Sequence, residues 1–120
     1  MGKPWVYIAG PYSKPNVAVN VNVAGGWWHR LFDTGLIVPY APHVSIVLDM
    51  LKPRIYQDWL DYDIELLQRF DALFRIDGES SGVDGEVRKM TEFGRPIFRE
   101  REYDIMIDWA KKWRGDRFTS

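Results

Sequence analysis

Short apolar runs alternate with longer segments of helical periodicity along this chain. The run Trp5–Ala9 is apolar and ends in Gly10-Pro11, a pattern that indicates a buried central strand. Further apolar runs predict strands over 36–38, 72–76 and 96–98. The intervening segments predict helices over 16–32, 56–70, 83–93 and 103–113, with a loop and a short helix at 44–51 inside 39–53.

The segment 16–32 carries two competing periodicities. Its valines alternate between positions 17 and 23 as in a strand, but the apolar positions also recur at helical spacing. Asn16 is suited to begin a helix and Gly35 to end one. A helix is favoured because the segment is long and a strand follows it, although Gly25-Gly26 weakens it by about 1 kcal/mol per residue relative to Ala.

Strands that alternate with helices predict an α/β fold. We expect one domain over 1–120, an open parallel sheet of about four to five strands with helices on both faces, Rossmann-like or flavodoxin-like. Ligands of such sheets bind beyond the carboxyl ends of the strands. This rule selects the loops that begin at Gly10, Pro39, Asp77 and Arg99.

Asp63 is an acid on an apolar helical stripe. The predicted helix 56–70 has Trp59 four residues before Asp63 and Leu66 three residues after it, so all three share one face. An unpaired carboxylate is costly to bury, so Asp63 is expected to have a partner or a function. Asp77, at the end of a predicted strand, is its main rival.

Glu86 shows the same anomaly in the next helix. It lies among the inward positions Val83, Val87 and Met90. With Ser81 as the predicted N-cap and Asp84 as part of a capping box, Glu86 falls near the first turn, where the helix dipole favours the anionic form.

Two inward carboxylates near one strand end suit glycosyl chemistry. One acts as a nucleophile or stabilises an oxocarbenium-like transition state, and the other donates or accepts a proton. The competing interpretation is structural, with Asp63 and Glu86 each pairing with an arginine or capping a backbone group. Both acids near one candidate pocket favour function.

Several other residues are candidates for ligand contacts. Gly10 permits close approach of a ligand, Ser13 could meet a phosphate, and His43 could contact a base. Tyr7 shares a strand face with Ala9, and its phenol could hydrogen-bond a carboxylate of the site. An ordinary turn, a loop histidine and a core tyrosine are the structural alternatives.

The loop that precedes Glu86 is a second candidate for binding. Ser80 and Gly82 run into a helix N-terminus, where free backbone N–H groups and hydroxyls attract anions. Simple capping by Ser81 is the alternative, and the two interpretations are compatible.

Composition narrows the function classes. The net charge is −1 without a basic run, which argues against a surface for polymeric nucleic acid. There is no cysteine and there are only two histidines, His29 and His43, far apart in the sequence, so we do not expect a metal site. We also expect no cofactor. No apolar segment approaches membrane-spanning length, so we expect a cytoplasmic protein. A chain this short buries only about 65% of its unfolded surface, and we expect a homo-oligomer.

These residues, in this order, resemble the nucleoside 2-deoxyribosyltransferase superfamily, most closely a small phage and bacterial branch of poorly defined function. The resemblance covers nearly the whole chain up to about Arg99. The matching stretches are 6–13, Pro42-His43, 58–67, 71–74, the Ser-x-Gly-Val-x-x-Glu stretch 80–86, and 94–96.

The resemblance implies cleavage of the N-glycosidic bond of a (deoxy)nucleoside or its monophosphate. Glu86 would attack C1′, Tyr7 would position it, and Asp63 would assist with the sugar hydroxyl or the leaving base. The base-exchanging members carry an aspartate where this chain has Ser80, whereas the nucleotide hydrolases have a serine that contacts the 5′-phosphate. This difference favours a monophosphate substrate and water as acceptor over base exchange. Members of the superfamily commonly complete the site with a neighbouring subunit.

A second hypothesis is a non-catalytic module of the same fold that senses or sequesters a nucleotide. The chain is minimal, and Asp84-Gly85 makes an unusual approach to the predicted helix. A receiver-like signalling domain is disfavoured, because the first strand ends in Gly10-Pro11 rather than in an acidic pair.

Overall fold

The computed structural model describes residues 2–115, which form one sheet of four parallel strands flanked by five α-helices. The strands are β1 (Trp5–Ala9), β2 (Val38–Tyr40), β3 (Ala72–Arg75) and β4 (Ile97–Arg99). The helices are α1 (Val17–Asp33), α2 (Ser45–Leu51), α3 (Tyr56–Leu67), α4 (Ser81–Glu92) and α5 (Tyr103–Lys112). Two short 3₁₀ turns, Pro42–Val44 and Glu100–Glu102, precede α2 and α5.

The strand order is β2-β1-β3-β4, with every pairing parallel. Val6 of the central strand β1 faces Pro39 on one side and Ala72 on the other. The connection from β1 leads to one side of it, to β2, and the next strand, β3, lies on its other side. This switch point between β1 and β3 leaves a crevice at the carboxyl ends of the two strands. The predicted open parallel α/β fold is confirmed, with four strands.

Side chains that alternate along β1 divide the core into two layers. Val6 and Ile8 pack with α1 and α5, whereas Tyr7 and Ala9 pack with α3 and α4. The buried helical residues of the first layer are Ala24, Leu31, Met106 and Ala110, and those of the second are Leu67, Val83 and Met90. Helices on both faces of the sheet are thereby confirmed.

The ambiguous segment after β1 is a helix, as predicted. The Asn16 side chain accepts a hydrogen bond from the Val19 N–H at 3.1 Å, which satisfies one of the free donors of the first turn. Gly35 follows the helix with a φ of 70°, the left-handed conformation that glycine adopts without strain. Val19 and Val23 are exposed, so the alternating valines do not mark a buried strand face.

The predicted start of α4 is wrong by two residues. Ser80, not Ser81, is the N-cap, because its Oγ accepts from the Val83 N–H at 3.2 Å and the helix begins at Ser81. Asp84 does not complete a capping box and instead forms a salt bridge with Arg75 at 3.3 Å. Glu86 is therefore the sixth residue of the helix, beyond the first turn within which the helix dipole acts.

The second strand lies two residues later than its predicted position and contains Pro39. An edge strand tolerates proline because the missing N–H points away from the sheet. The Pro39 carbonyl accepts a hydrogen bond from Trp28 Nε1 of α1 at 3.0 Å. The loop after this strand consequently begins at Ala41 rather than at Pro39.

No helix between residues 2 and 115 is both long enough and apolar enough to cross a membrane.

Candidate active site

A cavity of about 140 Å³ lies beyond the carboxyl ends of β1 and β3, at the switch point of the sheet. Its walls come from the loop after β1, the 3₁₀ turn before α2, and the helices α2, α3 and α4. Six of the residues predicted from the sequence line it: Gly10, His43, Asp63, Ser80, Gly82 and Glu86. The structure therefore brings both inward carboxylates to the same place.

Glu86 is the most deeply placed acid of the cavity, with 7% of its surface exposed. The fully buried Tyr7 donates a hydrogen bond from its hydroxyl to Glu86 Oε2. The Tyr7 ring is held against Phe70 by an edge-to-face contact of 5.4 Å between centroids. No hydrogen bond among the described residues engages the other carboxylate oxygen, Oε1, so that oxygen is the one available to a ligand.

Burial raises the pKa of Glu86 from its ordinary value of 4.5 to about 7. The hydrogen bond from Tyr7 opposes this rise, and the negative charge of Asp63 adds to it. Burial, and to a smaller extent the negative charge of Glu86, keeps the pKa of Tyr7 well above its ordinary value. Tyr7 therefore remains a hydrogen-bond donor throughout the neutral pH range.

Asp63 is half-buried on α3, and burial raises its pKa from 3.8 to about 7. Burial raises the pKa of the neighbouring Tyr40 to about 12, and the negative charge of Asp63 contributes to this rise. The salt bridges of residues 2–115 involve neither Asp63 nor Glu86, so arginine pairing does not account for the two acids. The rival carboxylate Asp77 is exposed and does not line the cavity.

His43 is buried in the cavity wall. Its Nε2 lies 3.0 Å from the Pro11 carbonyl oxygen, so Nε2 carries the proton that is donated in this contact. Burial lowers the pKa of the imidazole, and hydrogen bonds to backbone carbonyls oppose this effect. The ring also packs beside Tyr12, with 6.0 Å between centroids. His43 thus anchors the loop after β1 to the mouth of the cavity.

Three of the four small residues predicted to contact a ligand, Gly10, Gly82 and Ser13, have different roles in the structure. A Cβ at Gly10 would lie 2.9 Å from Ile76 Cδ1, so packing between the ends of β1 and β3 already requires glycine there. Gly82 lies under Tyr56, whose hydroxyl would be 3.0 Å from an added Cβ. Ser13 is exposed and is not among the residues that line the cavity.

Sequence reasoning missed part of the cavity wall. Trp59 was placed on an apolar stripe and within the matching stretch 58–67 but was not predicted to line the cavity, although it lies one helical turn before Asp63. Asp49 was not predicted, because the sequence pattern of a short helix does not show which residue of another helix its polar side chain contacts. The missed residues that line the cavity include Tyr12, Asp49, Tyr56 and Trp59.

Comparisons of this chain with family models, with curated proteins and with solved structures give no match. A carboxylate with one oxygen held by a tyrosine and the other open to the cavity is suited to nucleophilic attack. A second carboxyl group with a pKa of about 7 is suited to give and take a proton at neutral pH. Within residues 2–115, no group of three or more His, Asp or Glu side chains is placed to hold a metal ion.

Proposed function

We propose that this protein cleaves the N-glycosidic bond of a (deoxy)nucleoside monophosphate and releases the free base, with water or another base as acceptor. The observation that carries the proposal is the buried Glu86, which Tyr7 holds by one oxygen in the cavity that it shares with Asp63. The resemblance to nucleoside 2-deoxyribosyltransferases gives the same three residues the same roles.

In the first step, Glu86 Oε1 attacks C1′ of the sugar. The bond between C1′ and the base nitrogen breaks, and its electron pair leaves with the base. Asp63, in its protonated form, donates its proton to that base, and the products are a glycosyl ester of Glu86 and the free base. Tyr7 keeps its hydrogen bond to Oε2 throughout and so fixes the orientation of the attacking carboxylate.

In the second step, the acceptor resolves the glycosyl ester. Water attacks C1′, the Asp63 carboxylate takes the proton of that water, and the bond between C1′ and Oε1 breaks to regenerate the Glu86 carboxylate. A second base would react in the same way through a ring nitrogen. Asp63 serves as acid in one step and as base in the other, and a pKa of about 7 suits both roles.

The N-terminus of α4 supports a phosphate on the substrate. Ser80 and Gly82 line the cavity at the start of this 12-residue helix. The Ser80 oxygen accepts from the Val83 N–H, which leaves the hydroxyl proton free to be donated to an anion. The backbone N–H groups of the first turn and the helix dipole favour negative charge at the same point.

The test is a panel of deoxyribonucleotides and ribonucleotides, each also supplied as the nucleoside, with released base measured by chromatography. We expect release from at least one monophosphate and slower release from its nucleoside. Calorimetry on the same panel serves as the control for binding. Tight binding without release would favour the nucleotide-sensing module, and neither binding nor release would contradict both functions.

We also propose that a second copy of the chain covers the mouth of the cavity. Apolar side chains around α2 are exposed, including Met50 at 76% and Leu51 at 79%. The cavity is smaller than the roughly 300 Å³ at which typical small-molecule sites begin, and a neighbouring subunit would enlarge and enclose it. Sedimentation equilibrium should show a dimer or larger assembly that Leu51→Glu weakens. A monomer at all concentrations tested would contradict this.

A further inference from the structure

We propose that Trp59 is the surface on which the leaving base stacks, and that Asp49 is the positioning residue that fixes the indole. This inference rests on the proposed function and adds to it the residues that recognise the leaving group. Neither residue takes part in the bond changes at C1′.

The position of Trp59 on α3 supports the stacking role. Trp59 lines the cavity and lies four residues before Asp63, so the two side chains are neighbours on one helix face. A base that receives its proton from Asp63 must place a ring atom within hydrogen-bond reach of that carboxyl group. The rest of the planar ring then extends along the helix face towards the indole.

Asp49 fixes the orientation of that indole. Its Oδ1 accepts a hydrogen bond from Trp59 Nε1 at 2.8 Å and a second from the backbone N–H of Arg54 at 2.9 Å. The bond from Arg54, and then the bond from Trp59, hold the pKa of Asp49 below its ordinary value, so the acceptor is a carboxylate at neutral pH. Asp49 therefore connects α2, the segment before α3 and the indole in one arrangement.

The hydrogen bond also determines what kind of surface the indole offers. Its only polar atom, Nε1, is already bonded, and the ring stands nearly perpendicular to that of Tyr62, with 6.3 Å between the ring centroids. Where the indole lines the cavity, it therefore offers a ligand an apolar aromatic surface and no free donor. Such a surface favours planar aromatic leaving groups and discriminates little among purines and pyrimidines.

The test measures binding of free bases, so it does not depend on turnover. Adenine, hypoxanthine, cytosine and thymine are titrated by calorimetry into the full chain and into four variants. Trp59→Leu should weaken the tightest-binding base by about ten- to a hundredfold, which is the range found when a stacking aromatic is removed. Trp59→Phe retains a smaller ring and should give an intermediate loss.

The Asp49 variants separate positioning from general structural damage. Asp49→Ala removes the acceptor and should weaken base binding several-fold. Asp49→Asn retains an amide oxygen that accepts both hydrogen bonds, so it should restore binding close to that of the unchanged protein. Quenching of tryptophan fluorescence by the bound base should persist in Asp49→Asn and largely disappear in Trp59→Phe. Circular dichroism establishes that each variant is folded.

Unchanged affinity in Trp59→Leu, or no binding of any base to the unchanged protein, would overturn the inference. Equal losses in Asp49→Ala and Asp49→Asn would overturn the role of Asp49. Failure of the proposed function has a different signature, since base binding would follow these expectations while no substrate released its base.

Discussion

Replacement of Glu86 by glutamine is expected to reduce base release by about a thousandfold or more, the scale of loss seen when a catalytic nucleophile is removed. The amide has the shape of the carboxyl group, and its oxygen still accepts the hydrogen bond from Tyr7. It does not form a stable ester with C1′. The variant should therefore bind nucleotide and stay folded while losing the first chemical step.

Initial rates of base release, measured by chromatography, give the size of this loss. A second measurement identifies the attacked atom, because acid quenching during turnover should leave a sugar phosphate on the peptide that contains Glu86. Glu92→Gln is the matched control, since Glu92 is an exposed acid of the same helix that pairs with Lys89. Full activity in Glu86→Gln, or the sugar on another residue, would contradict the proposed mechanism.

Tyr7→Phe provides a graded check on the same step. The hydrogen bond from Tyr7 lowers the pKa of Glu86, so its loss should raise that pKa further above its ordinary value. The acid limb of kcat/KM reports the ionisation of the free carboxylate and should move to higher pH. An unshifted limb with a reduced rate would show that Tyr7 acts otherwise than through Glu86.

The first variant, Glu86→Gln, is also expected to make the protein more stable at alkaline pH. Folding raises the pKa of Glu86 from 4.5 to about 7, so the folded state holds this proton more tightly than the unfolded chain does. The stabilisation that the protonated Glu86 side chain gives the folded state is fully present below pH 4.5 and is lost as the pH rises through about 7. Above that range the ionised carboxylate costs the fold about 3 kcal/mol, as an order of magnitude, and glutamine removes this cost.

Urea unfolding at pH 4 and at pH 9 measures the effect. The quantity to compare is the change in stability of Glu86→Gln between the two pH values, because any cost of burying the amide is the same at both. Asp63→Asn should show the same direction, since burial also raises the pKa of Asp63. Glu92→Gln, at an exposed position of α4, is the control for a substitution outside the cavity. An equal effect of Glu86→Gln at both pH values would mean that Glu86 does not titrate in a buried setting.

Much of the site could be predicted because polar residues on apolar stripes are conspicuous. Asp63 and Glu86 each interrupt a helical stripe, and the structure places both in one cavity. The alternation of strands and helices likewise gave the parallel sheet. From that sheet follows the edge at which the cavity lies.

The remaining features depend on contacts that periodicity does not specify. Helix α4 begins two residues earlier than predicted, which places Glu86 beyond the first helical turn and removes the helix dipole as an influence on its ionisation. Tyr7 and Glu86 lie 79 positions apart, and their hydrogen bond requires the packing of α4 against the face of the sheet to which Tyr7 points. A helical pattern predicts which face is buried, but it does not predict which side chain of another element meets it.

The hydrogen bond between Trp28 and Pro39 has a consequence for how copies of this chain can associate. Val38 donates its N–H to the Pro4 carbonyl, towards β1. Because successive residues of a strand alternate in this direction, the backbone nitrogen and carbonyl of Pro39 point outwards, at the free edge of the sheet. Proline offers no donor there, and the indole of Trp28 already occupies the carbonyl oxygen. An incoming strand would find no hydrogen-bonding group at this point, which guards the exposed edge against fibrous, strand-on-strand aggregation. Self-association at this side of the molecule is thereby restricted to contacts between side chains.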